Sequence, residues 1–506
     1  MNVTARAPRA PTLVEALVPV GCLMVFLALA VIDLNHLPEI AVVSSVLRAL
    51  AAIPYFGDAL QASIPVHLPL AAAAAVAALM ALRLGWSWRE IEESFVQGIM
   101  LALGAVLILL VVGVLIGTWI ASGIVPLLIV YGLKLLSPDY FLLATCLICG
   151  VVSLATGSSW TTAGTVGIAF IGIGTALGIP LPMVAGAIIS GAYFGDKMSP
   201  LSDTTNLAPA VAGAELFEHV RHMALTTGPS LVLALILYWL LGLGYGGQAA
   251  SLEAVNVITN GLSAGFNLTP WLLLPPVIVL GLVVMRVPAL PAVLLGALMG
   301  GAAASIFQGV SFSHVLEISY GGFKSETGQA AVDALLSRGG MESMYGTIGI
   351  ILCAMCFGGV MERSGMLAAI AGAILRLAKG TGGLIAATLA SCIGINLIAS
   401  DQYLSIVVPG RMYREAYRKA GLHPKNLSRC LEDAGTLTSP LVPWNSCGAY
   451  MYATLGVFPL AYLPFAFLNL INPVVSAIYG YTGWTITRVK IENDATSSAP
   501  PSEPVH

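Results

Sequence analysis

Two short stretches decide how this chain folds: ATGSSWTTAGTVG at residues 155–167 and GAYFGDKMSPLSDTTNLAP at residues 191–209. Each sets hydroxyls, amides or carboxylates inside sequence that otherwise reads as hydrocarbon. Nothing in lipid can hydrogen-bond such groups, so at bilayer depth they persist only where they face a cavity, a partner helix or a passing ion. They predict an ion pathway, with the remaining helices arranged to enclose it.

The composition around them agrees. The 506 residues are 58% hydrophobic and 9% charged, whereas an average soluble domain is about 25% charged. Such a chain cannot cover a globule with water-compatible surface, which makes it an all-α polytopic membrane protein whose partner is the lipid bilayer. A net charge of -3 without a basic, aromatic-interleaved stripe excludes nucleic acid as a partner. No nucleophile–base pair or HExxH-type motif points to an enzyme.

Apolar runs of spanning length, about 17 to 25 residues, fall near 14–32, 62–83, 96–120, 224–244, 270–286, 288–306, 346–361 and 456–478. The first contains an A-x-A at 28–30 that mimics a signal-peptide cleavage site, but with so many runs following it reads as an uncleaved helix. The segments around 182–212 and 430–452 are each interrupted by Ser-Pro-Leu and read as broken helices. The runs 139–177 and 382–410 are divided by GSSW and ASDQY and read as re-entrant hairpins.

An internal repeat sets the architecture. Gly85-Trp-Ser-Trp with Glu93 and Gly98 resembles Gly309-Val-Ser-Phe with Glu317 and Gly322. After a polar insertion of roughly 18 residues in the second copy, the match resumes: Ser122-Gly123 falls on Ser364-Gly365, Lys134 on Arg376, Cys149 on Cys392, Ser158-Ser159-Trp160 on Asp401-Gln402-Tyr403, Gly167 on Gly410 and Ser199-Pro200-Leu201 on Ser439-Pro440-Leu441. If 123–136 and 365–379 are interfacial arms, an odd number of crossings separates equivalent points and the repeats are inverted. With both termini cytoplasmic, only Arg48, Lys134, Lys324 and Arg338 then fall outside and Lys197 within the membrane, and every other Lys and Arg is cytoplasmic, as the positive-inside rule requires. The expected plan is about ten spanning helices, two re-entrant hairpins and two broken helices, a transporter architecture. It divides into scaffold helices with the first arm (1–138), a first transport unit (139–223), scaffold helices with the second arm (224–381), a second transport unit (382–455), a last helix (456–490) and a disordered tail (491–506).

A dehydrated Na+ needs several oxygen ligands, which short side chains and carbonyls at helix breaks supply at close range. The candidates for binding ions or protons are Ser158, Ser159 and Thr161 at the first tip; Asp196, Ser199, Asp203, Thr204, Thr205 and Asn206 in the first broken helix; and Asp401, Gln402, Asp433, Ser439 and Asn445 in the second unit. Ser and Thr in membrane helices often bond their own helix instead. The carboxylates are costlier at depth, and Asp196 is expected to pair with Lys197. Glu432 and Asp433 have a place at the cytoplasmic edge beside Arg429 as their alternative. A carboxylate that alternately holds a cation and a proton gives antiport directly, because burial favours its protonated form and a bound cation its ionised form.

Other polar features have plainer readings. Cys146/Cys149 and Cys353/Cys356 form C-x-x-C pairs, but without further ligands they read as small hydrophobes inside helices, with no transition metal and no cofactor. His219 and His222 read as a solvated juxtamembrane face.

The motifs ATGSSWTTAGTVG at 155–167, ISGAYFGDKMSPLSDTTNLA at 189–208 and SPLVPWNSCGAYM at 439–451 resemble the NhaC family of Na+/H+ antiporters, within the broader ion transporter superfamily. The resemblance covers about residues 12 to 480. It implies Na+ and H+ as substrates, exchange across the bacterial inner membrane, a homodimer, and elevator-like movement of a transport domain against a scaffold. Some relatives exchange organic anions such as malate and lactate, so a Na+/H+-linked carboxylate antiporter is the alternative that the resemblance leaves open.

Overall fold

The computed structural model describes residues 8–31, 65–246, 252–285, 287–327, 332–333 and 336–489. Arg48 and the tail from 491 lie outside the described residues. The chain runs through α1 (Leu13–Val31), α2 (His67–Arg83), α3 (Trp88–Ala121), α4 (Ile124–Leu135), α5 (Pro138–Thr156), α6 (Ser159–Thr162), a π-helical turn (Ala163–Gly167), α7 (Ile168–Ala176), α8 (Leu181–Met198), α9 (Asp203–Ala212) and α10 (Leu216–Gly246). It continues through α11 (Leu252–Gly265), α12 (Leu274–Val284), α13 (Ala289–Gln308), α14 (Phe312–Gly321), α15 (Tyr345–Arg363), α16 (Met366–Arg376), α17 (Gly380–Ile398), α18 (Gln402–Lys419), α19 (Pro424–Cys430), a second π-helical turn (Leu431–Thr436), α20 (Ser446–Leu455), α21 (Pro459–Tyr462) and α22 (Phe467–Thr482). Among the described residues six helices are long and apolar enough to cross a membrane, or eight if two bent pairs count as single spans. The expected apolar run 456–478 is one such pair, bent by 60° between residues 459–465 and 467–482. Pro459 and Pro464 remove backbone donors there.

Several elements of the two halves correspond in length and in the residues that bound them. α4 and α16 each follow a left-handed glycine, Gly123 and Gly365. α5 and α17 each run 19 residues. Just after them Gly157, which caps α5, and Ser400, one residue beyond the cap of α17, both have positive φ, 68° and 60°. Next come two extended N-caps, Ser158 and Asp401, whose side chains accept from the amides of Thr161 and Leu404, three residues on in each case. α9 and α20 are both ten residues long, start after extended Ser202 and Asn445, and end at left-handed Gly213 and Gly456. The copies differ in their π-helical turns, which follow the tip in the first and precede the break in the second.

Close backbone packing holds this arrangement. α8 lies along α5 so tightly that a Cβ on Gly191 would stand 2.2 Å from the Cys146 carbonyl oxygen, and one on Gly195 would stand 2.2 Å from the Leu154 nitrogen. Cys146 and Cys149 are buried free thiols on that contact. α3, capped by a Ser87/Glu90 box, has 34 residues and is about 51 Å long. That exceeds the roughly 30 Å hydrocarbon thickness, so it crosses tilted or projects beyond it. The Gly340 amide donates to the Gly113 carbonyl of α3 at 2.7 Å, which pins the polar insertion of the second half against this helix.

Candidate functional site: a carboxylate-lined cavity between four helix starts

Four helix starts meet at one cavity of about 680 Å³: α6 at Ser158, α9 at Asp203 and Thr204, α18 at Asp401, Gln402 and Tyr403, and α20 at Ser446 and Cys447. Asp196 enters from the end of α8, and Thr156 and Trp160 flank the first tip. The remaining wall is apolar, with Leu101, Gly104, Ala105 and Ile108 on one face of α3, and Val287 and Pro288.

A helix start presents orphan amides and the positive end of the dipole, which favours anions. Here a side chain engages one amide at each start. Ser158 Oγ accepts from Thr161 N at 3.2 Å, Asp203 Oδ1 from Thr204 N at 2.8 Å, Asp401 Oδ1 from Leu404 N at 3.0 Å and Asn445 Oδ1 from Cys447 N at 3.0 Å. Asp196, Asp203 and Asp401 stand on the wall, and among the described residues no Lys or Arg lines the cavity. The arrangement suits a cation.

Asp196 is buried at the junction of tip and break. Its Oδ2 accepts from Ser159 Oγ at 2.6 Å and Ser159 N at 3.2 Å, and its Oδ1 from Ser202 Oγ at 2.6 Å. Ser202 in turn lies 3.1 Å from Thr204 Oγ1. The Tyr403 hydroxyl donates to Asp203 Oδ2, which joins α18 of one half to α9 of the other.

Of the sequence candidates, Ser158, Asp196, Asp203, Thr204, Asp401 and Gln402 stand on the cavity wall. Ser159, Thr161, Ser199, Thr205, Asn206, Ser439 and Asn445 stand behind it as supports. Thr161 bonds Ser158, and Ser199 Oγ accepts from Leu201 N at 3.3 Å to shape the turn around Pro200. The carbonyls at the break are already engaged: Thr205 Oγ1 donates to the carbonyls of Asp196 and Lys197 at 3.1 and 2.9 Å, and Asn206 Nδ2 to that of Pro200 at 2.9 Å. Ser439 Oγ donates to Gln402 Oε1 at 3.1 Å, and Asn445 Nδ2 to Asn396 Oδ1 at 3.1 Å. Tyr403, Cys447 and the α3 face were not legible as site residues. Tyr403 carried a weak signal, being the residue after Gln402, and the α3 residues carried none because they are apolar.

Asp433 stands in a different network, off the cavity, and two expectations are corrected there. Lys197 does not pair with Asp196; its Nζ donates to Asp433 Oδ1, both side chains being fully buried. Thr226 and Asn472 donate to the same oxygen at 3.1 and 2.7 Å, and Arg429 Nε lies 3.6 Å from the other. Asp433 thus lies beside Arg429, and Arg429, Glu432 and Asp433 are all fully buried. His219 and His222, expected on a solvated face, are buried as well, beside Ser428 Oγ at 2.8 Å and Arg429 Nη1 at 3.1 Å. The physical reason is common to both: α19, the second π-helical turn, α10 and α22 close around one another, and buried charges take the nearest opposite charge regardless of sequence distance.

The profile of the Na+/H+ antiporter family matches residues 191–484. The chain is 42% identical to the Na+/H+ antiporter NhaC of Alkalihalophilus pseudofirmus over 82% of its own length and 90% of that protein. It is 41% identical to the malate-2H+/Na+-lactate antiporter of Bacillus subtilis over 83% and 90%. It is also 37% identical to the arginine/ornithine antiporter ArcD of Halobacterium salinarum over 97% and 96%. With membrane-compatible helices, a carboxylate-lined cavity and this similarity along most of its length, the chain is a multi-pass membrane transporter that belongs to the NhaC family of Na+/H+ antiporters.

Proposed function

We propose that this protein exchanges Na+ for H+ across the bacterial inner membrane, with Asp196, Asp203 and Asp401 as the carboxylates at which the two cations compete. The observation that carries the proposal is the charge on the cavity wall: three carboxylates, no Lys or Arg among the described residues, and one amide at each helix start engaged by a side chain. Na+ entering this cavity would meet carboxylate and hydroxyl oxygens, and its arrival favours the ionised carboxylate, so that a proton leaves as the cation binds. Ser159 and Ser202 orient Asp196 for this competition, and Gln402 is held by Ser439 and Cys447.

Alternating access is proposed to follow from two inverted repeats, with 139–223 and 382–455 forming the moving unit and the remaining helices the scaffold and homodimer contact. The matched caps and left-handed residues of the two halves support that repeat. The distribution of Lys and Arg supports a cytoplasmic position for both termini.

The name of the Bacillus subtilis relative raises carboxylate exchange as the competing activity. A dicarboxylate needs unpaired positive charge or open helix-start amides, whereas Lys197 is neutralised by Asp433 away from the cavity. Purified protein in proteoliposomes with an imposed pH gradient tests the choice. NaCl alone should dissipate the gradient; dissipation only when malate or lactate is supplied would overturn the proposal.

A further inference from the structure

One buried acid stands apart from both the cavity and the Lys197–Asp433 pair. Glu432, in the second π-helical turn, is fully buried, and neither of its carboxyl oxygens has a hydrogen-bond or ion-pair partner among the described residues. The nearby cations serve another carboxylate. Lys197 Nζ donates to Asp433 Oδ1, Arg429 Nε faces Asp433 Oδ2 at 3.6 Å, and Arg429 Nη1 donates to Thr485 Oγ1 at 2.9 Å. A carboxylate held away from water with no donor and no bonded cation is costly, and such a group sheds its charge by keeping a proton.

The charges that reach Glu432 lie on neighbouring helices. Lys197 and Asp196 come from α8 and Asp203 from α9, and the Cys392 thiol of α17 adjoins it. α10 and α19 send His219, His222 and Arg429 toward Lys197 and Asp433 instead. α18 turns Tyr413 and Tyr417 to hydroxyls of α17, and α22 presents the uncharged Asn469 and Asn472. Asp196 and Asp203, both on the cavity wall, therefore link Glu432 to whatever the cavity holds. Their like charges repel an ionised Glu432, and a cation bound at them relieves that repulsion.

We propose that Glu432 is a second proton site of the exchange, outside the cavity: it holds a proton while Asp196 and Asp203 are without Na+, and releases it when Na+ settles on them. The proposal rests on the cavity being the Na+ site. By reciprocity, loss of the Glu432 proton tightens Na+ binding, so a residue that never touches the cation adds to the protons exchanged for it.

Calorimetric titration of the detergent-solubilised protein with NaCl, in two buffers of different ionisation enthalpy, counts the protons released per Na+ bound. At the pH of greatest release, Glu432→Gln should release about one proton fewer than the wild type, and Glu432→Asp should restore most of that release. Wild-type release from folded Glu432→Gln would overturn the proposal. So would loss of Na+ binding itself in that variant, which would make Glu432 part of the cation site. Melting curves establish folding first; where Glu432→Gln fails to fold, Glu432→Met, which fills the space and brings no ionisable group, takes its place. Failure of the wild type to bind Na+ would sink the Na+ proposal and this one with it, whereas binding with unaltered release in Glu432→Gln sinks this one alone.

Discussion

At the scale of single residues, hydrogen-bond partners distinguish the three cavity carboxylates. Asp196 has two serines and an amide on its oxygens, Asp401 caps α18 with one oxygen, and Asp203 receives the Tyr403 hydroxyl. Asp196→Asn and Asp401→Asn should each lower Na+-driven proton movement at least tenfold, the loss of one charge-assisted contact being about 1.5 to 3 kcal/mol, while the protein still reaches the membrane. Fluorescence quenching in everted vesicles measures this, and wild-type rates in both variants would refute the assignment. The Lys197–Asp433 pair should act on stability instead. Asp433→Leu alone leaves both Lys197 and Arg429 without their carboxylate and should destabilise by about 3 to 5 kcal/mol, with the double variant Lys197→Met/Asp433→Leu recovering the Lys197 share of that. Melting of the detergent-solubilised protein shows whether the double variant is indeed the more stable.

At the scale of elements, the two tips solve one backbone problem with different residues. Gly157 takes its positive φ freely, whereas Ser400 holds φ 60°, which costs a side-chain-bearing residue about 1 to 2 kcal/mol. Its carbonyl accepts from Ser446 N at 2.9 Å and so ties the second tip to the second break. Ser400→Gly should therefore raise the melting temperature or leave it unchanged, and Ser400→Val should lower it. The opposite order would show that the turn is not set by backbone strain. At this scale the sequence was largely legible: Ser-Pro-Leu marked both breaks, GSSW and ASDQY both tips, and the helices stop where those motifs predict. The π-helical turns carried no such mark, because they arise from local widening of a helix without a dedicated breaker.

At the scale of the whole molecule, inverted repeats predict that the loop after α18 and the loop before α8 lie on opposite sides of the membrane. In a background without native thiols, a cysteine at position 419, exposed at the end of α18, should label only from inside. One at position 180, exposed before α8, should label only from outside; the reverse pattern in both would overturn the topology. The elevator proposal has its own test where α3 touches the first hairpin, since a Cβ at Gly164 would lie 3.5 Å from the Val112 side chain. A disulfide between cysteines at 112 and 164 should stop exchange and reduction should restore it. Undiminished exchange in the oxidised protein would confine the motion to local gates.

The sequence by itself determined the class of protein, the helix breaks, the paired tips and most of the cavity's polar wall. These depend on local composition, on breaker residues and on the cost of polar groups in hydrocarbon, all of which can be read along the chain. The tertiary structure alone decided which charges meet. Lys197 passes over its neighbour Asp196 for Asp433, 236 residues away; Asp196 turns to Ser159, 37 residues back; and an apolar face of α3 closes the site. In a low-dielectric interior a charge is satisfied by whatever packing brings within bonding distance, and adjacency in sequence places consecutive helical side chains on different faces.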